Sequence, residues 1–260
     1  MGIVNVTPDS FSDGGRFRDI DAAVTHAAQL AEEGAHILDI GGESTRPGAA
    51  PVPEQEELDR VIPVIERIAA QIDRPISIDT RKPSVAKAAI AAGAAIWNDV
   101  SALTYAPDSL ETAAALECEI VLMHAQGDPQ TMQANPTYGD VVEEVASFLS
   151  ERIEACTAAG IDRARLILDP GIGFGKTLDH NLALMRSLGR FVDMDLPVLL
   201  GASRKRFISA LDREGSADER VAGSIAAVLS AASQGVSWFR VHDVAATRQA
   251  LAVYRGIHRF

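Results

Sequence analysis

Short runs of Ile, Val and Leu alternate with longer amphipathic, alanine-rich stretches along the whole chain. The short runs have the length of β-strands, and their nearly continuous hydrophobicity is typical of strands that are buried on both faces. Eight runs are predicted to be strands: Gly2–Val6, His36–Gly41, Ile76–Asp79, Ile96–Val100, Glu119–His124, Leu166–Asp169, Val198–Ser203 and Trp238–Asp243.

The stretch after each run has the periodicity of an amphipathic helix. Glycines lie at or near the ends of four of them, where a left-handed C-cap costs glycine least. These glycines are Gly34, Gly93, Gly160 and Gly235. The predicted helices are Ala22–Glu33, Glu54–Gln71, Ser84–Ala92, Ser109–Glu117, Val141–Ala159, Asn181–Phe191, Glu219–Ser233 and Ala245–Arg255.

This alternation predicts an α/β fold. Parallel strands need a long crossover between them, and a helix supplies it in each unit. Eight consecutive units are expected to close into a (β/α)8 TIM barrel, a single domain over residues 1–260. A doubly wound open sheet is the alternative that the same pattern allows.

Composition and charge narrow the class of protein. The chain has 260 residues, 47% of them hydrophobic, which is enough for one large core. A formal net charge of −12 argues against nucleic-acid binding, and any anion site must be a local cluster of cations. We find no membrane-spanning run and no signal peptide. Because Cys118 and Cys156 lack ligand spacing, both are expected to be reduced, in a soluble cytoplasmic protein.

Polar residues end all eight predicted strands. TIM barrels carry their chemistry at the carboxyl ends of the strands. One such residue could simply cap a helix or bond a loop, but eight on one rim indicate a site. In chain order they are Asn5, Asp39, Asp79, Asn98 with Asp99, His124, Asp169, Ser203 with Lys205, and Arg240 with His242.

The segment after the first strand, Asn5–Gly15, combines hydroxyls, a carboxamide, two carboxylates and an aromatic ring. A chain reversal alone does not need so many polar groups. We therefore interpret Asn5–Gly15 as a functional loop.

Two other patterns suggest sites that the sequence does not support. Gly175-Lys176-Thr177 resembles the end of a phosphate-binding P-loop, but Pro170 stands where its first glycine belongs. The glycines of this segment are expected instead to let a flat ligand lie close, with Phe174 as an apolar wall. The histidines show no close pairing, which disfavours a histidine metal centre, and His124 is either a structural rim residue or a ligand contact.

Eight motifs in order resemble those of the dihydropteroate synthase family, nearly from end to end. They are Asn5–Gly15, Gly42–Gly48, Ser77–Arg81, Asn98–Ser101, Leu122–His124, Asp169–Lys176, Ser203–Lys205 and Arg240–His242. Members of that family usually have further residues before the first strand, so the N-terminal extension is expected to be short or missing here, which bears on how the bottom of the barrel closes.

The resemblance implies condensation of 6-hydroxymethyl-7,8-dihydropterin pyrophosphate with p-aminobenzoate, giving 7,8-dihydropteroate and pyrophosphate for folate synthesis. It also implies Mg²⁺ as cofactor and a homodimer built from outer helices of the later units. The alanine-rich segment Val221–Ser233 offers a small-residue face for such a dimer, although that face also suits packing within the chain.

For the pterin, the resemblance assigns Asp79, Asn98, Asp169 and Lys205. The chemistry agrees, because a buried carboxylate such as Asp169 can accept two parallel hydrogen bonds from the pterin edge, while Asn98 offers a donor and an acceptor. The alternative for Asp79 is an N-cap of the helix before Pro83.

The pyrophosphate needs a focused cationic patch, which the resemblance places at Thr45, Arg46, Arg240 and His242. Mg²⁺ usually keeps waters and substrate phosphates in its shell, so the Asn5 carboxamide is a plausible single protein ligand.

The remaining assignments concern p-aminobenzoate and catalysis. The resemblance places the aryl amine between Phe11, Pro47, Phe174, Ser203 and Lys205. Asp79, Asp13 and Lys205 are the expected catalytic residues of a dissociative displacement, with the carboxylates stabilising the cation that forms at the pterin methylene.

Two other functions fit the motifs less well. A pterin-dependent methyltransferase would share the barrel and the Asp–Asn pair that binds the pterin. Such an enzyme needs a cobalamin partner, however, and its reaction does not require an anion site at Arg240 and His242. A non-catalytic pterin-binding barrel has no reason to keep all the rim motifs intact.

Overall fold

The structure is a computed structural model that describes residues 1–6, 16–44, 48–127 and 131–258. The described residues form eight β-strands: β1 (Gly2–Asn5), β2 (Leu38–Gly41), β3 (Ile76–Asp79), β4 (Ile96–Asp99), β5 (Glu119–Met123), β6 (Leu166–Asp169), β7 (Leu199–Leu200) and β8 (Trp238–Phe239).

Ten α-helices occur in the same part of the chain. They are α1 (Arg16–Glu32), α2 (Glu54–Gln71), α3 (Pro83–Ala91), α4 (Ser109–Ala115), α5 (Val141–Ala158), α6 (Leu178–Arg186), α7 (Gly189–Val192), α8 (Arg206–Leu211), α9 (Val221–Ala232) and α10 (Val244–His258).

All strand pairs are parallel, and they close a ring. Strands β1 to β6 pair in chain order, and β7 pairs with β8. Single parallel bridges join the two groups, from Leu168 to Val198 and from Gly2 to Val241. The predicted TIM barrel is therefore confirmed, and the open sheet is excluded. The bridge at Gly2 connects the first strand to the end of the last unit.

Several predicted boundaries were too long. The strand predictions that ended at Val100, His124, Ser203 and Asp243 run past the strands, which end at Asp99, Met123, Leu200 and Phe239. In the last unit only the single bridge at Val241 lies beyond the strand, as far as the described residues show. Polar groups at the strand ends bend the chain out of the sheet. Asp99, for example, accepts hydrogen bonds from the Ser101 and Leu103 amides, both 2.7 Å long, and so begins a turn at once.

The helix predictions differ from the structure in several places, including the start of α1, which lies at Arg16 and not at Ala22. The predicted helix Asn181–Phe191 is two helices, α6 and α7, because the chain leaves helical geometry at Ser187. Helix α8 was not predicted, and the predicted start at Glu219 is a short 3-10 turn before α9. The four helix-ending glycines do adopt positive φ, as predicted: Gly34, Gly93, Gly160 and Gly235.

The core has an inner and an outer part because side chains alternate across each strand. Residues such as Leu38, Ile78 and Leu168 face outwards and pack under the helices. Ile96, Val121, Ile167 and Leu199 form a separate cluster, which we place inside the barrel. No helix among the described residues is long and apolar enough to cross a membrane.

Candidate active site

Above the apolar cluster inside the barrel, the next inward-facing positions of the strands are polar. Two residues after Ile96 comes Asn98, and two residues after Ile167 comes Asp169. The period of two therefore aims these side chains into the mouth of the barrel. Asp39, Asp79 and Arg240 occupy the corresponding positions on or just after β2, β3 and β8.

At the centre of this layer one guanidinium binds two carboxylates. Arg240 Nε donates to Asp39 Oδ2 at 2.6 Å, and Arg240 Nη2 donates to Asp79 Oδ2 at 2.7 Å. Asp39 is completely buried and Asp79 nearly so. The N-cap alternative for Asp79 fails, because the N-cap of α3 is Lys82.

The charges at this centre do not balance, since one cation faces two buried acids. Burial raises the pKa of Asp79 to about 7; Arg240 opposes this shift, and the neighbouring Asp39 carboxylate adds to it. For Arg240, burial lowers the pKa, but the two carboxylates outweigh it and the pKa rises. Asp79 also has an oxygen, Oδ1, that is buried without a hydrogen-bond partner. The site thus presents an unused acceptor towards the barrel mouth.

Asn98 and Asp169 flank this centre. Asn98 Nδ2 lies 3.4 and 3.5 Å from the two carboxylate oxygens of Asp39. Asp169 Oδ1 accepts a 2.7 Å hydrogen bond from the Gly171 amide. Burial raises the pKa of Asp169, although Lys205 opposes the shift. A ligand that donates N–H groups would compensate for this burial.

Lys205 and Phe174 lie against each other. Lys205 Nζ is 4.3 Å from the centre of the Phe174 ring and donates to the Ile172 carbonyl. Burial lowers the pKa of Lys205 to about 8, with Asp169 acting in the opposite direction. The two residues assigned to p-aminobenzoate on these loops are therefore neighbours in space.

The glycines of the loop Gly171–Gly175 have a different role from the predicted one. A Cβ on Gly171 would overlap the His124 carbonyl oxygen, and one on Gly175 would overlap the Gln126 carbonyl oxygen. Both have positive φ. The missing side chains thus let this loop pack on the backbone after β5; the expectation that they make room for a flat ligand was wrong for these two positions.

Ser203 and His242 contact each other at the ends of the last two units. Ser203 Oγ lies 3.0 Å from His242 Nδ1 and accepts a 3.2 Å hydrogen bond from the His242 amide. The sequence assigned Ser203 to p-aminobenzoate and His242 to pyrophosphate. Their contact places the two predicted subsites side by side.

Asn5 ends β1 beside the carboxylate centre. A Cβ on Gly41 would lie 3.9 Å from Asn5 Oδ1 and 3.7 Å from Asp79 Oδ2. These are hard oxygen donors of the kind that Mg²⁺ prefers. In the described part of the chain, no group of three or more His, Cys, Asp or Glu residues could hold a metal. Asn5 therefore fits an ion that takes its remaining ligands from water and substrate.

Five predicted site residues lie outside the described residues, in the segments 7–15 and 45–47. They are Phe11, Asp13, Thr45, Arg46 and Pro47.

The sequence placed Asp39 among the polar rim residues but assigned it no role, and it did not identify Lys176 as part of the site. Asp39 stands between Leu38 and Ile40 in a buried strand, and a lone carboxylate in such a run was a usable signal. Lys176 is buried against His124, with its Nζ 2.9 Å from His124 Nδ1. Of the two roles left open for His124, the structural one holds in this conformation. The cysteines are free and buried, as predicted.

A second charged cluster anchors the beginning of the loop after β2. Lys82, which is 5% exposed, donates to both Glu43 and Glu57, and Arg81 Nη2 lies 3.0 Å from Glu43 Oε1. Arg60 adds a 2.7 Å hydrogen bond to the Gly42 carbonyl. Nothing in the periodicity of the chain distinguished these charges from solvated ones.

Comparison with known proteins agrees with the geometry. The family model described as pterin binding enzyme matches residues 1–242. Dihydropteroate synthase from Escherichia coli K12 is 49% identical over 253 residues, covering 97% of this chain and 89% of its own. Two structures of the Xanthomonas albilineans enzyme, each covering all of this chain, superpose closely. The one with 4-aminobenzoic acid has a TM-score of 0.94 at 54% identity and 92% coverage of that chain. The complex with 7,8-dihydropteroate has 0.91 at 51% identity and 93% coverage. The chain therefore belongs to the pterin-binding enzyme family and, within it, to the dihydropteroate synthases.

Proposed function

We infer that this chain condenses 6-hydroxymethyl-7,8-dihydropterin pyrophosphate with p-aminobenzoate, forming 7,8-dihydropteroate and releasing pyrophosphate. The observation that carries this function is the polar layer at the barrel mouth, where Asp79, Asn98 and Asp169 face inwards beside Lys205. The family relationship over the length of the chain supports the same reaction.

The pterin edge would bind across Asp169 and Asn98. A pterin presents N–H donors and a carbonyl acceptor in one plane. An ionised Asp169 accepts from the donors, Asn98 can do both, and Lys205 donates to the ring from the other side. These bonds would compensate for the burial that raises the pKa of Asp169 and lowers that of Lys205. We propose this set, with Asp79, as the pterin site.

Pyrophosphate would lie beside the pterin, at Arg240 and His242, with Thr45 and Arg46 as further contacts. Arg240 uses Nε and Nη2 for the two carboxylates, so its guanidinium has further N–H groups for phosphate oxygens. When bound, Mg²⁺ would neutralise charge on the departing pyrophosphate, with the Asn5 carboxamide, water and phosphate oxygens around it.

Bond breaking would precede bond making at the pterin methylene. The C–O bond breaks and its electron pair leaves with pyrophosphate, so a cation forms that the electron-rich pterin delocalises. Asp79, in its ionised form, and Asp13 stabilise that cation, and Lys205 holds the ring. The amine nitrogen of p-aminobenzoate then forms the C–N bond and loses a proton to water. The aryl amine would be held by Phe174, Ser203 and Lys205 together with Phe11 and Pro47.

A coupled assay of pyrophosphate tests this function. We expect release only when both the pterin pyrophosphate and p-aminobenzoate are present with Mg²⁺, in amounts equal to the dihydropteroate formed. Release without the amine would mean simple hydrolysis. Pterin binding with no release under any condition would mean a non-catalytic barrel, and methyl transfer from a methylated pterin to cobalamin would mean the other enzyme class.

We also propose a homodimer formed by the outer surface of α8 and α9. Among residues Arg206–Leu211 none is fully buried, and Leu211 is 57% exposed. Gly223 lets α9 pack closely against Ile208, so the two helices form one surface. Sedimentation velocity should find a dimer that Leu211→Lys weakens. Val253→Lys, at an equally exposed position on α10, is the control and should leave the mass unchanged.

The cytoplasm is the proposed location. The two cysteines are free and buried, as in proteins of a reducing compartment. Recovery of the protein with a cytoplasmic marker enzyme, and not with the membranes or the culture medium, is the expected result of cell fractionation.

A further inference from the structure

The triplet Gly175-Lys176-Thr177 resembles the end of a phosphate-binding loop, yet both of its polar side chains have hydrogen-bond partners within the protein. The Thr177 hydroxyl accepts from the His180 amide at 3.2 Å and caps α6. Lys176 is 3% exposed and points beneath the loop, away from solvent. This buried lysine has no part in the proposed reaction.

Lys176 has a partner for each of its three N–H groups. Its Nζ lies 2.9 Å from His124 Nδ1, 3.0 Å from the Phe174 carbonyl oxygen and 3.3 Å from the His124 carbonyl oxygen. An ammonium group donates three hydrogen bonds, and a neutral imidazole can accept at Nδ1. The Lys176 amino group thus ties the end of β5 to the middle of the β6–α6 loop. Burial lowers the pKa of Lys176 to about 7, with Asp169 acting in the opposite direction.

The loop that Lys176 holds carries two contacts of the candidate site. Phe174 supports the Lys205 ammonium with its ring, and Ile172 accepts from Lys205 with its carbonyl oxygen. The Phe174 amide donates to the Gly171 carbonyl at 3.1 Å, within the loop, and the Phe174 carbonyl accepts from Lys176. Lys176 is thus the contact that joins Phe174 to the chain at His124, after β5.

Other hydrogen bonds hold the loop at its glycines. Tyr138 donates to the Gly175 carbonyl at 2.9 Å, and Gln133 donates to the Gly173 carbonyl at 2.7 Å. The Gly173 amide donates to Asn181 at 2.6 Å, and the Gly171 amide donates to the Asp169 carboxylate at 2.7 Å.

We propose that Lys176 is a positioning residue, which fixes Phe174 and Lys205 for p-aminobenzoate by bonding His124 and the Phe174 carbonyl. The proposal rests on the proposed function. Lys176 touches neither substrate, so its loss should change the binding of p-aminobenzoate more than the chemical step.

The first experiment is Lys176→Met, which keeps the length and removes the donors. We expect the KM for p-aminobenzoate to rise about tenfold, as for the loss of a charged hydrogen bond, while kcat falls by less than about threefold. Inhibition by pyrophosphate should be unchanged. Lys87→Met, at an exposed lysine on α3, is the matched control. An unchanged KM with a lowered melting temperature would reduce Lys176 to a purely structural residue, and a loss of pyrophosphate inhibition would make it a phosphate ligand; either result overturns the proposal.

His124, the hydrogen-bond partner of Lys176, offers a second test, which does not depend on how well a variant at Lys176 folds. His124→Asn keeps an acceptor near the Nδ1 position, and His124→Leu removes it. We expect the first to retain the parent KM within about threefold and the second to match Lys176→Met, with no further loss in the double variant. Equal effects of the two His124 variants, or additive losses, would contradict the proposal.

Hydrogen exchange of the ligand-free protein separates this inference from the proposed function. Amides of the segment 171–175 should exchange faster in Lys176→Met and His124→Leu than in the parent and in Lys87→Met. Faster exchange in these two variants, together with a parent protein that releases no pyrophosphate when both substrates are present, would support the Lys176 contact and refute the proposed function. Exchange rates in the two variants equal to those of the parent would refute the proposal that Lys176 and His124 hold the loop.

Discussion

Two buried carboxylates, Asp39 and Asp79, face a single guanidinium at the barrel mouth. Burial and the second carboxylate together raise the pKa of Asp79 to about 7, so a proton remains on this site near neutral pH. The native state therefore binds more protons than the unfolded chain. The stability from this proton is complete below the unfolded pKa near 4 and is lost as the pH rises through about 7.

Pterin binding should release this proton. The N–H groups of the ligand favour the ionised form of Asp79, which at pH 6.5 is still largely protonated. We expect release of roughly 0.75 proton per pterin at that pH. Lys205, whose pKa is about 8, is already charged at pH 6.5 and contributes little.

Calorimetric titrations in buffers of different ionisation enthalpy measure the release. Asp79→Asn should abolish it, since the amide does not titrate. Proton release that persists in this variant would assign the raised pKa to another group.

Asp169→Asn should strongly weaken pterin binding. The amide oxygen can keep the hydrogen bond from the Gly171 amide, and its NH2 group then faces the N–H donors of the pterin. A loss of about 2–4 kcal/mol follows from the unpaired donors and the lost charge. Equilibrium binding of a pterin measures it, and an affinity within about threefold of the parent would remove Asp169 from the pterin site.

At the scale of elements, the loop between β6 and α6 depends on its glycines for close packing. Gly171 combines a φ of +69° with a position at which a Cβ would overlap the His124 carbonyl oxygen. The carbonyl that a Cβ would overlap belongs to the backbone of His124, whose amide donates a 3.0 Å hydrogen bond to the Asp169 carbonyl at the end of β6. It cannot move without disturbing the rim.

Gly171→Ala should therefore destabilise the protein by about 3 kcal/mol or more, since overpacking adds to the backbone strain. Gly160→Ala is the matched control, because its φ of +88° brings the same strain while nothing lies within 4 Å of a Cβ there. Urea unfolding of both variants measures the difference. Equal losses in the free energy of unfolding would mean that backbone strain alone, without the overlap, accounts for the need for glycine at position 171.

At the scale of the whole molecule, the ring brings together groups that are far apart in the chain. Arg240 and Asp39 bond across 201 positions of sequence separation. The predicted p-aminobenzoate pocket draws on four units, through Phe11, Pro47, Phe174 and Ser203. Its assembly thus requires several rim segments to adopt one arrangement, which costs conformational entropy.

We expect an order of binding from this cost. The segments Asn5–Gly15 and Gly41–Pro53 are long for barrel loops. If pyrophosphate with Mg²⁺ holds them, through Asn5 and Arg46, p-aminobenzoate should bind only afterwards. Calorimetry should detect little binding of p-aminobenzoate to the ligand-free enzyme, and clear binding with Mg²⁺, pyrophosphate and a pterin present. Similar affinities in the two conditions would mean that the pocket is preformed.

The sequence by itself determined the barrel and the level of the site within it. Buried parallel strands are almost continuously apolar, so each strand could be predicted from the sequence. Because side chains alternate along a strand, Asp79, Asn98 and Asp169 all point into the same end of the barrel. Strand burial and side-chain alternation depend on residues that are close together in the chain, so the order of apolar and polar residues shows them directly.

Only the tertiary structure decided which charges meet. The pairing of Arg240 with Asp39, and of Lys176 with His124, joins residues 201 and 52 positions apart. It depends on how the ring closes and how a glycine loop packs on its neighbour. Electrostatic and hydrogen-bonding partners are set by distances in space, and no period along the chain encodes such distances. Asp39 and Lys176 therefore acquired their roles only when the barrel was complete.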